Sequence, residues 1–492
     1  MDGFLAAGPV QFHLHPILAQ KTVMAKFLHP DRLFPSDPAV RGIARNLYET
    51  VSGLPIVSPH GHTDPAWFAA NKPFGDAASL FLTPDHYVLR MLYSRGISYD
   101  ALGVPRRDGG PVATPRDAWR LFARNYDLFL GTPSRLWIDH SMNWAFGFDE
   151  PLGEHNADAM FDAINEKLTD AEFRPLAILD RAKVEVIATT EFALDPLEHH
   201  KALGEAGLGK RIVTTYRPDD VSDPDNPSFR ANLDTLANLT GADTQSWSGM
   251  IEAHRRRRAL FRAHGARATD HGMPDARTAD LSEPAKQALL SRLLAGEGEK
   301  HDAALFRAQM LTEMAALSAE DGMVMQLHAG SRRNTDAALM AERGANLGAD
   351  IPVAVSPTRS LEPLLNRFGS AEGFRLIFFC LDESVYAREL APMAGYWPAL
   401  VLGPPWWFHD SPRGIARYLD AVLETAGFMN LAGFNDDTRA LLSIPARHDM
   451  WRRVVSAFLA DMVARHLIGR SDAEAMAVWL SYQAARHAYK LG

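Results

Sequence analysis

Two histidines with one glycine between them, in the run Pro59-His60-Gly61-His62-Thr63-Asp64-Pro65, are the residues of this chain best placed to do chemistry. On an extended segment, side chains two apart point the same way, so both imidazoles can reach one cation. A divalent ion needs more than two neutral ligands, and a carboxylate is the natural third. Far downstream, Gly433-Phe434-Asn435-Asp436-Asp437-Thr438-Arg439 offers two acids that could supply it. His60 and His62 with one of these two acids, Asp436 or Asp437, are expected to hold one divalent metal ion. Zinc is the first candidate; manganese, iron and nickel also suit these donors. The competing reading of the two acids is an Asx turn or a helix cap. His13-Leu14-His15 repeats the histidine spacing in a stretch without periodicity and is not read as a metal site.

Residues so far apart converge only if the fold brings them together. His60 follows a short β-rich run at 54–58, and further runs lie at 184–189, 211–216, 265–269, 323–327, 375–380, 399–402 and 430–434, separated by mostly helical sequence. Apolar strands alternating with helices indicate a parallel sheet covered on both sides, and eight of them are what a (β/α)8 barrel requires. The expected fold is α/β: a TIM-like, metal-dependent barrel with long helical insertions. Closure makes the first and eighth strands neighbours, which would set Asp436 and Asp437 beside His60 and His62. The ends of the other runs carry Thr190-Glu191, Arg217-Pro218-Asp219, Asp270-His271-Gly272, His328 and Trp406-Trp407-Phe408. Polar, ionisable and aromatic groups thus collect at the face where barrels place their active sites.

Residues 1–23 read as a flexible N-terminal extension, and residues 24–492 as one barrel with a helical insertion at about 66–182 and a second helical stretch at about 273–320. Ser36-Asp37-Pro38 opens a helix whose stripe of Val40, Ile43, Ala44, Leu47 and Val51 faces a core, and Gly53 closes it. The basic run Arg255 to Arg258 reads as a solvated helical face. A formal charge of -9 gives no general attraction to nucleic acid or anionic lipid, so an anionic substrate must be held by local Arg, Lys or metal. No apolar stretch approaches the ~18 residues of a membrane span. The single cysteine, Cys380, sits in the apolar run Leu376-Ile377-Phe378-Phe379-Cys380-Leu381, where it reads as a buried small hydrophobe. A cytoplasmic protein is expected.

The chain resembles the uronate isomerases, an outlying family of the amidohydrolase superfamily. The similarity runs from about Phe27 almost to the C-terminus, through Lys26-Phe27-Leu28-His29, the His60/His62 loop, Asp85-His86-Tyr87 with Arg90, and Thr189-Thr190. It continues through Tyr216-Arg217-Pro218-Asp219, Thr269-Asp270-His271-Gly272, Gln326-Leu327-His328 with Arg333-Asn334, Trp406-Trp407-Phe408 and Asp437-Thr438-Arg439. The family's usual Cys between the metal-binding histidines is Gly61 here. Its compact Thr-Thr-Asp-Asp-Pro element is expanded to Thr189-Thr190-Glu191-Phe192-Ala193-Leu194-Asp195-Pro196, and its Thr-Asp-Ser-Arg turn reads Asp436-Asp437-Thr438-Arg439.

The resemblance implies reversible aldose–ketose isomerisation of a hexuronate, D-glucuronate to D-fructuronate or D-galacturonate to D-tagaturonate, by proton transfer from C2 to C1 through an enediol. Such a step needs a base over the carbon and positive charge beside the oxygens. The resemblance implies Asp437 as the third metal ligand with His60 and His62, and Asp437, Tyr87 and His86 as the catalytic residues, with Asp437 and Tyr87 both open as the base. Arg217, Arg439 and Arg333 are candidates for the substrate carboxylate, Arg217 and Arg439 being favoured because they follow strands. His328 is expected as a fourth ligand or a substrate contact, and Trp406 and Trp407 as a wall against the sugar. The expected partner is a small anionic sugar, with neither nucleic acid nor membrane, and the chain is expected to form a homo-oligomer. A metal-dependent hydrolase of the same superfamily and a non-catalytic sugar-acid binder are the alternatives.

Overall fold

The computed structural model describes residues 27–492, and its first helix is Pro38–Ser52. Asp37 caps it by accepting from Ala39 N and Val40 N, Pro38 fills its first turn, and Ala44, Leu47 and Val51 are buried. That face packs on the long helix Ser443–Ala464 near the other end of the chain. The expectations for residues 1–23, including His13 and His15, lie outside the described residues.

The strands are β1 (Ile56–Ser58), β2 (Val184–Ala188), β3 (Glu191–Phe192), β4 (Ile212–Val213), β5 (Tyr216–Arg217), β6 (Ala268–Met273), β7 (Val324–Ala329), β8 (Ser331–Arg332), β9 (Ile351–Pro352), β10 (Leu376–Cys380) and β11 (Leu400–Leu402). One sheet runs β1-β2-β4 and the other β11-β10-β7-β6-β5-β3, with parallel pairing throughout both. Because β3 resumes β2 and β5 resumes β4 after short breaks, the two sheets form one parallel series in chain order, consistent with a TIM-like barrel. Every residue of β7 and β10 is buried, as strands covered on both faces must be. The antiparallel pair β8-β9 lies beyond the end of β7.

Two sequence expectations change here. The eighth run keeps a single parallel bridge, Leu402 with Leu431, and one bond from Ala432 N to Leu402 O at 2.8 Å. Gly433 has a φ of +76° and lies so close to Ala485 that a Cβ would sit 2.8 Å from its nitrogen, so the chain turns off the ladder. Contact back to the first strand is made in the loops, where His62 N donates to Thr438 O at 3.0 Å. The fourth strand, expected at 265–269, is Ala268–Met273, because Asp270 and His271 are buried and stay in register with Gln326 and Leu327.

Between β1 and β2 the chain forms seven α-helices, from Pro65–Ala70 to Pro175–Arg181. They enclose an apolar cluster of their own around Trp119, Phe122, Met142 and Phe146. Between β6 and β7 lie the helices Glu283–Ala295 and Lys300–Asp321. The basic run splits: Arg255 and Arg256 pair with acids on the surface, but Arg257 and Arg258 are buried. Arg257 donates to the carbonyls of Ala193 and Asp195, and Arg258 to Asp321, so half of the run is internal structure. Cys380 is buried, and burial pushes its thiol up to about 12. Among the described residues, no helix is long and apolar enough to cross a membrane.

Candidate active site

The loop after β1 carries His60 and His62 to the turn after Gly433. His60 Nε2 lies 3.5 Å and His62 Nε2 3.3 Å from Asp437 Oδ1. The ligand atoms of all three lie within 4.8 Å of one another, as do those of a second group, His60, Asp270 and His328. Among the described residues, Asp437 Oδ1 and His328 Nε2 are buried without a hydrogen-bond partner. Buried polar atoms rarely go unsatisfied, and imidazole nitrogens around an orphaned carboxylate oxygen are a donor set that a divalent cation takes. Burial drives His60 down to about 4, so at neutral pH it is the uncharged imidazole a metal requires. Burial alone would raise the Asp437 carboxyl; His60 and His62 beside it reverse the shift and hold it well below the usual carboxylate range. The residues fit a divalent ion.

Behind this set, His328 Nδ1 is 2.7 Å from Asp270 Oδ1, and Asp270 Oδ2 accepts from Arg217 Nη1 at 2.9 Å. Arg217 also donates through Nε to Asp219 at 2.8 Å. A Cβ on Gly272 would lie 2.1 Å from Arg217 Nη2, so this glycine is what lets the guanidinium lie across β6. Arg217 is thus committed to two carboxylates.

An open cavity of about 640 Å³ adjoins the set, lined by His62, His86, Tyr87, Arg333, Trp406, Trp407, Asp437 and Arg439 among others. That volume suits a small molecule. Asp85 caps the helix His86–Tyr93, accepting from Tyr87 N at 2.9 Å and Val88 N at 3.3 Å, and so sets His86 and Tyr87 in its first turn. Burial drives His86 down to about 3, Arg439 and Arg447 adding to the shift, and its Nδ1 is buried without a partner. The Tyr87 hydroxyl donates to Asp410 Oδ1 at 2.8 Å and accepts from Phe408 N at 2.9 Å. Burial, then Asp410, pushes this phenol well above its ordinary value.

Arg333 and Arg439 differ from Arg217. Among the described residues neither has a hydrogen-bond or carboxylate partner, although the guanidinium of Arg333 stands 5.4 Å from the Trp407 ring. Burial lowers the Arg439 guanidinium from its ordinary value, Asp437 opposes the shift, and Arg333 and Arg217 add to it. Unpaired cations gathered at one cavity disfavour each other, and an arriving anion relieves them.

The glucuronate isomerase family profile matches residues 24–489. The chain belongs to the glucuronate isomerase family. It is 54% identical over 464 residues to a uronate isomerase of Phenylobacterium zucineum, covering 94% of this chain and 97% of the relative. The crystal structure of glucuronate isomerase from Caulobacter crescentus aligns with a TM-score of 0.93 at 52% identity, over 94% of this chain and 97% of that one. Uronate isomerase from Thermotoga maritima aligns with a TM-score of 0.87 at 27% identity, over 94% and 99%.

In this member of the glucuronate isomerase family, His62, His86, Tyr87, Arg333, Trp406, Trp407, Asp437 and Arg439 line one cavity, His60 and His328 lie beside it in the two candidate cation groups, and Arg217 lines an adjoining cleft. The choice between the two acids is also visible: Asp436 Oδ2 faces His448 Nε2 at 3.2 Å, while Asp437 faces His60 and His62. Gly61 is not sterically demanded, since a Cβ there would meet its nearest neighbour, Thr438 O, at an ordinary 3.5 Å. Three residues escaped the sequence reading. Asp270 was visible as part of a strand-end motif without a partner to give it meaning. Asp410 precedes Ser411-Pro412 and looks like ordinary helix-start sequence. Arg447 lies on a helix rich in arginine and carries no local signal.

Glu191, at β3, is 5% exposed and accepts from Thr214 Oγ1. Burial raises its carboxyl from 4.5 to about 8. The fold therefore keeps a proton that the unfolded chain loses, so this group favours the fold at low pH and loses that contribution as pH rises from about 4.5 through about 8. Glu191→Gln is expected to melt with the parent near pH 5 and several degrees above it at pH 8. Calorimetry at the two values checks this, and equal melting temperatures throughout would mean that the carboxyl is not protonated in the fold.

Proposed function

We propose that the protein is a uronate isomerase acting on D-glucuronate or D-galacturonate with one divalent cation held by His60, His62 and Asp437. Uronate isomerase activity as such follows from family membership and from 54% identity across 94% of the chain. The residue-level reading is carried by one observation: the His–His–carboxylate set meets two unpaired guanidiniums, Arg333 and Arg439, across a single cavity.

The isomerisation moves the C2 proton to C1 and the O2 hydroxyl proton to O1, through an enediol. A cation bound at His60, His62 and Asp437 would supply Lewis acidity to the reacting oxygens. Asp437, ionised at any working pH, takes the proton from C2 and returns it to C1. His86 stays neutral down to about 3 and exchanges the hydroxyl proton. Tyr87 has both roles of its hydroxyl occupied, so it acts as a fixed donor that sets the helix rather than as the base. Arg439 and Arg333 take the C6 carboxylate through paired, charge-assisted hydrogen bonds. Arg217 works from behind, fixing Asp270 and through it His328. Trp406 and Trp407, whose buried indole N–H groups lack partners among the described residues, wall the sugar and offer it donors.

Zinc is the first candidate for the ion, followed by manganese, iron and nickel. A small anionic sugar as partner, homo-oligomeric assembly and a cytoplasmic setting complete the reading. The hydrolase alternative shares the cation set but gives no role to two unpaired arginines. Incubation of the cation-loaded protein with either uronate is expected to yield the keto-uronate, followed by NMR; a folded, loaded sample that turns over neither sugar removes the assignment.

A further inference from the structure

A chain of charged contacts joins the helix carrying His86 to the loop carrying Asp437. Arg447, on the helix Ser443–Ala464, is 4% exposed. Its Nη1 donates to Asp410 Oδ2 at 2.5 Å and to the carbonyl oxygen of Asp436 at 3.3 Å, and its Nε donates to Ser443 Oγ at 3.0 Å. The guanidinium lies flat enough on Trp137 to bring its carbon 3.5 Å from the ring centroid. Asp410 spends its other oxygen on the Tyr87 hydroxyl. One guanidinium therefore reaches in two directions: through Asp410 to the residue after His86, and directly to the peptide that leads into Asp437. That peptide matters because Asp437 has a φ of +40°, a conformation that needs support from its surroundings.

A buried ion pair is a poor source of stability, because desolvation offsets most of its attraction. What it supplies here is fixed geometry. We propose that Arg447 and Asp410 are positioning residues of the isomerisation, clamping Tyr87 and the Asp436–Asp437 peptide at one separation so that His86 stands opposite Asp437. This rests on the uronate isomerase reading. Both residues border the cavity, but their charged ends are taken up by each other, by Tyr87, by Ser443 and by backbone, and the arginines assigned to the substrate carboxylate are not part of the clamp. Loosening it therefore leaves substrate affinity in place and spoils alignment in the transition state, which lowers kcat rather than raising KM.

Asp410→Asn keeps the shape and removes the charge. Its kcat is expected to fall roughly tenfold to a hundredfold, with KM and bound cation unchanged. Tyr87→Phe should give a comparable fall, and the double variant no more than the larger single one, because both act along one line. Arg447→Met would leave Asp410 buried without a counter-ion, so the arginine is tested as Arg447→Lys and, with both charges removed, as Asp410→Asn/Arg447→Met. A lysine cannot span Asp410 and the Asp436 carbonyl as a guanidinium does, so kcat falls in both. Raised KM with intact kcat, losses that multiply in the Asp410/Tyr87 double variant, or a lowered melting temperature with wild-type kcat would each overturn the clamp. Parent protein run in the same assay separates the two readings, since a parent without uronate turnover overturns both.

Discussion

Asp437→Asn is expected to lower kcat by at least ~10²-fold, the scale of a lost general base. No neighbour stands ready to replace it: Asp436 is turned to His448, and Asp270 is held by Arg217 and His328. The backbone is not the cause of the loss, because asparagine tolerates a φ of +40° better than most residues. The amide oxygen remains a possible ligand, so cation content per chain separates two causes. Cation retained with turnover gone assigns proton transfer to the carboxylate. Turnover restored by excess metal reduces Asp437 to a ligand. Near-normal kinetics would move the base to another acid, and Asp270, grouped with His60 and His328, is the one within reach.

The sequence displayed the parts of this fold that are locally consistent. β10 reads clearly because it is an unbroken apolar run in a fully covered position, and β7 because apolar residues surround its Gln326 and His328 and every position is buried. The second run ended before β3, which follows β2 after Thr189-Thr190, and the third read as continuous although Thr214-Thr215 separate β4 from β5. The eighth looked like a strand because Leu431 and Phe434 are apolar; the turn at Gly433 is imposed by the helix at Ala484, which no local pattern reveals. The fourth was cut short because Asp270 and His271 look like loop residues. Asp270 is held there by Arg217 and His328, from two other strands.

The same division holds at the site. A grouping of His60 and His62 with an acid at 436 or 437 was legible because metal chemistry restricts residue types and barrel closure restricts neighbours, and the family resemblance pointed to Asp437. Arg217 and Arg439 were favoured over Arg333 as carboxylate anchors because they follow strands. Position along the chain does not show which cations already have partners: Arg217 is bound to Asp219 and Asp270, while Arg439, favoured with it, and Arg333 are without carboxylate partners among the described residues. Arg447 was invisible for the complementary reason. Its meaning lies in three contacts to residues distant in sequence or in backbone, and nothing on its own helix distinguishes it from Arg452 or Arg453, which are equally buried.

Exhaustive chelation is expected to abolish turnover by several decades and to be reversed by a divalent ion, zinc being tried first. Polarising a sugar oxygen is worth several kcal/mol, and about 1.4 kcal/mol is a factor of ten, so a loss of ~10³ or more is the natural scale. A second readout follows from the orphaned atoms. Without a cation, Asp437 Oδ1 and His328 Nε2 remain buried with no partner among the described residues, an arrangement that costs the folded state. Filling the site repairs that and adds binding linkage, about 4 kcal/mol at a thousand times the dissociation constant, so the loaded protein should melt several degrees above the stripped one. His60→Ala removes the imidazole common to both candidate groups and should abolish the difference between loaded and stripped samples. Full rate after chelation, or a melting temperature indifferent to added metal, would take the cation out of the chemistry and leave His60, His62 and Asp437 as a cluster of charged contacts alone.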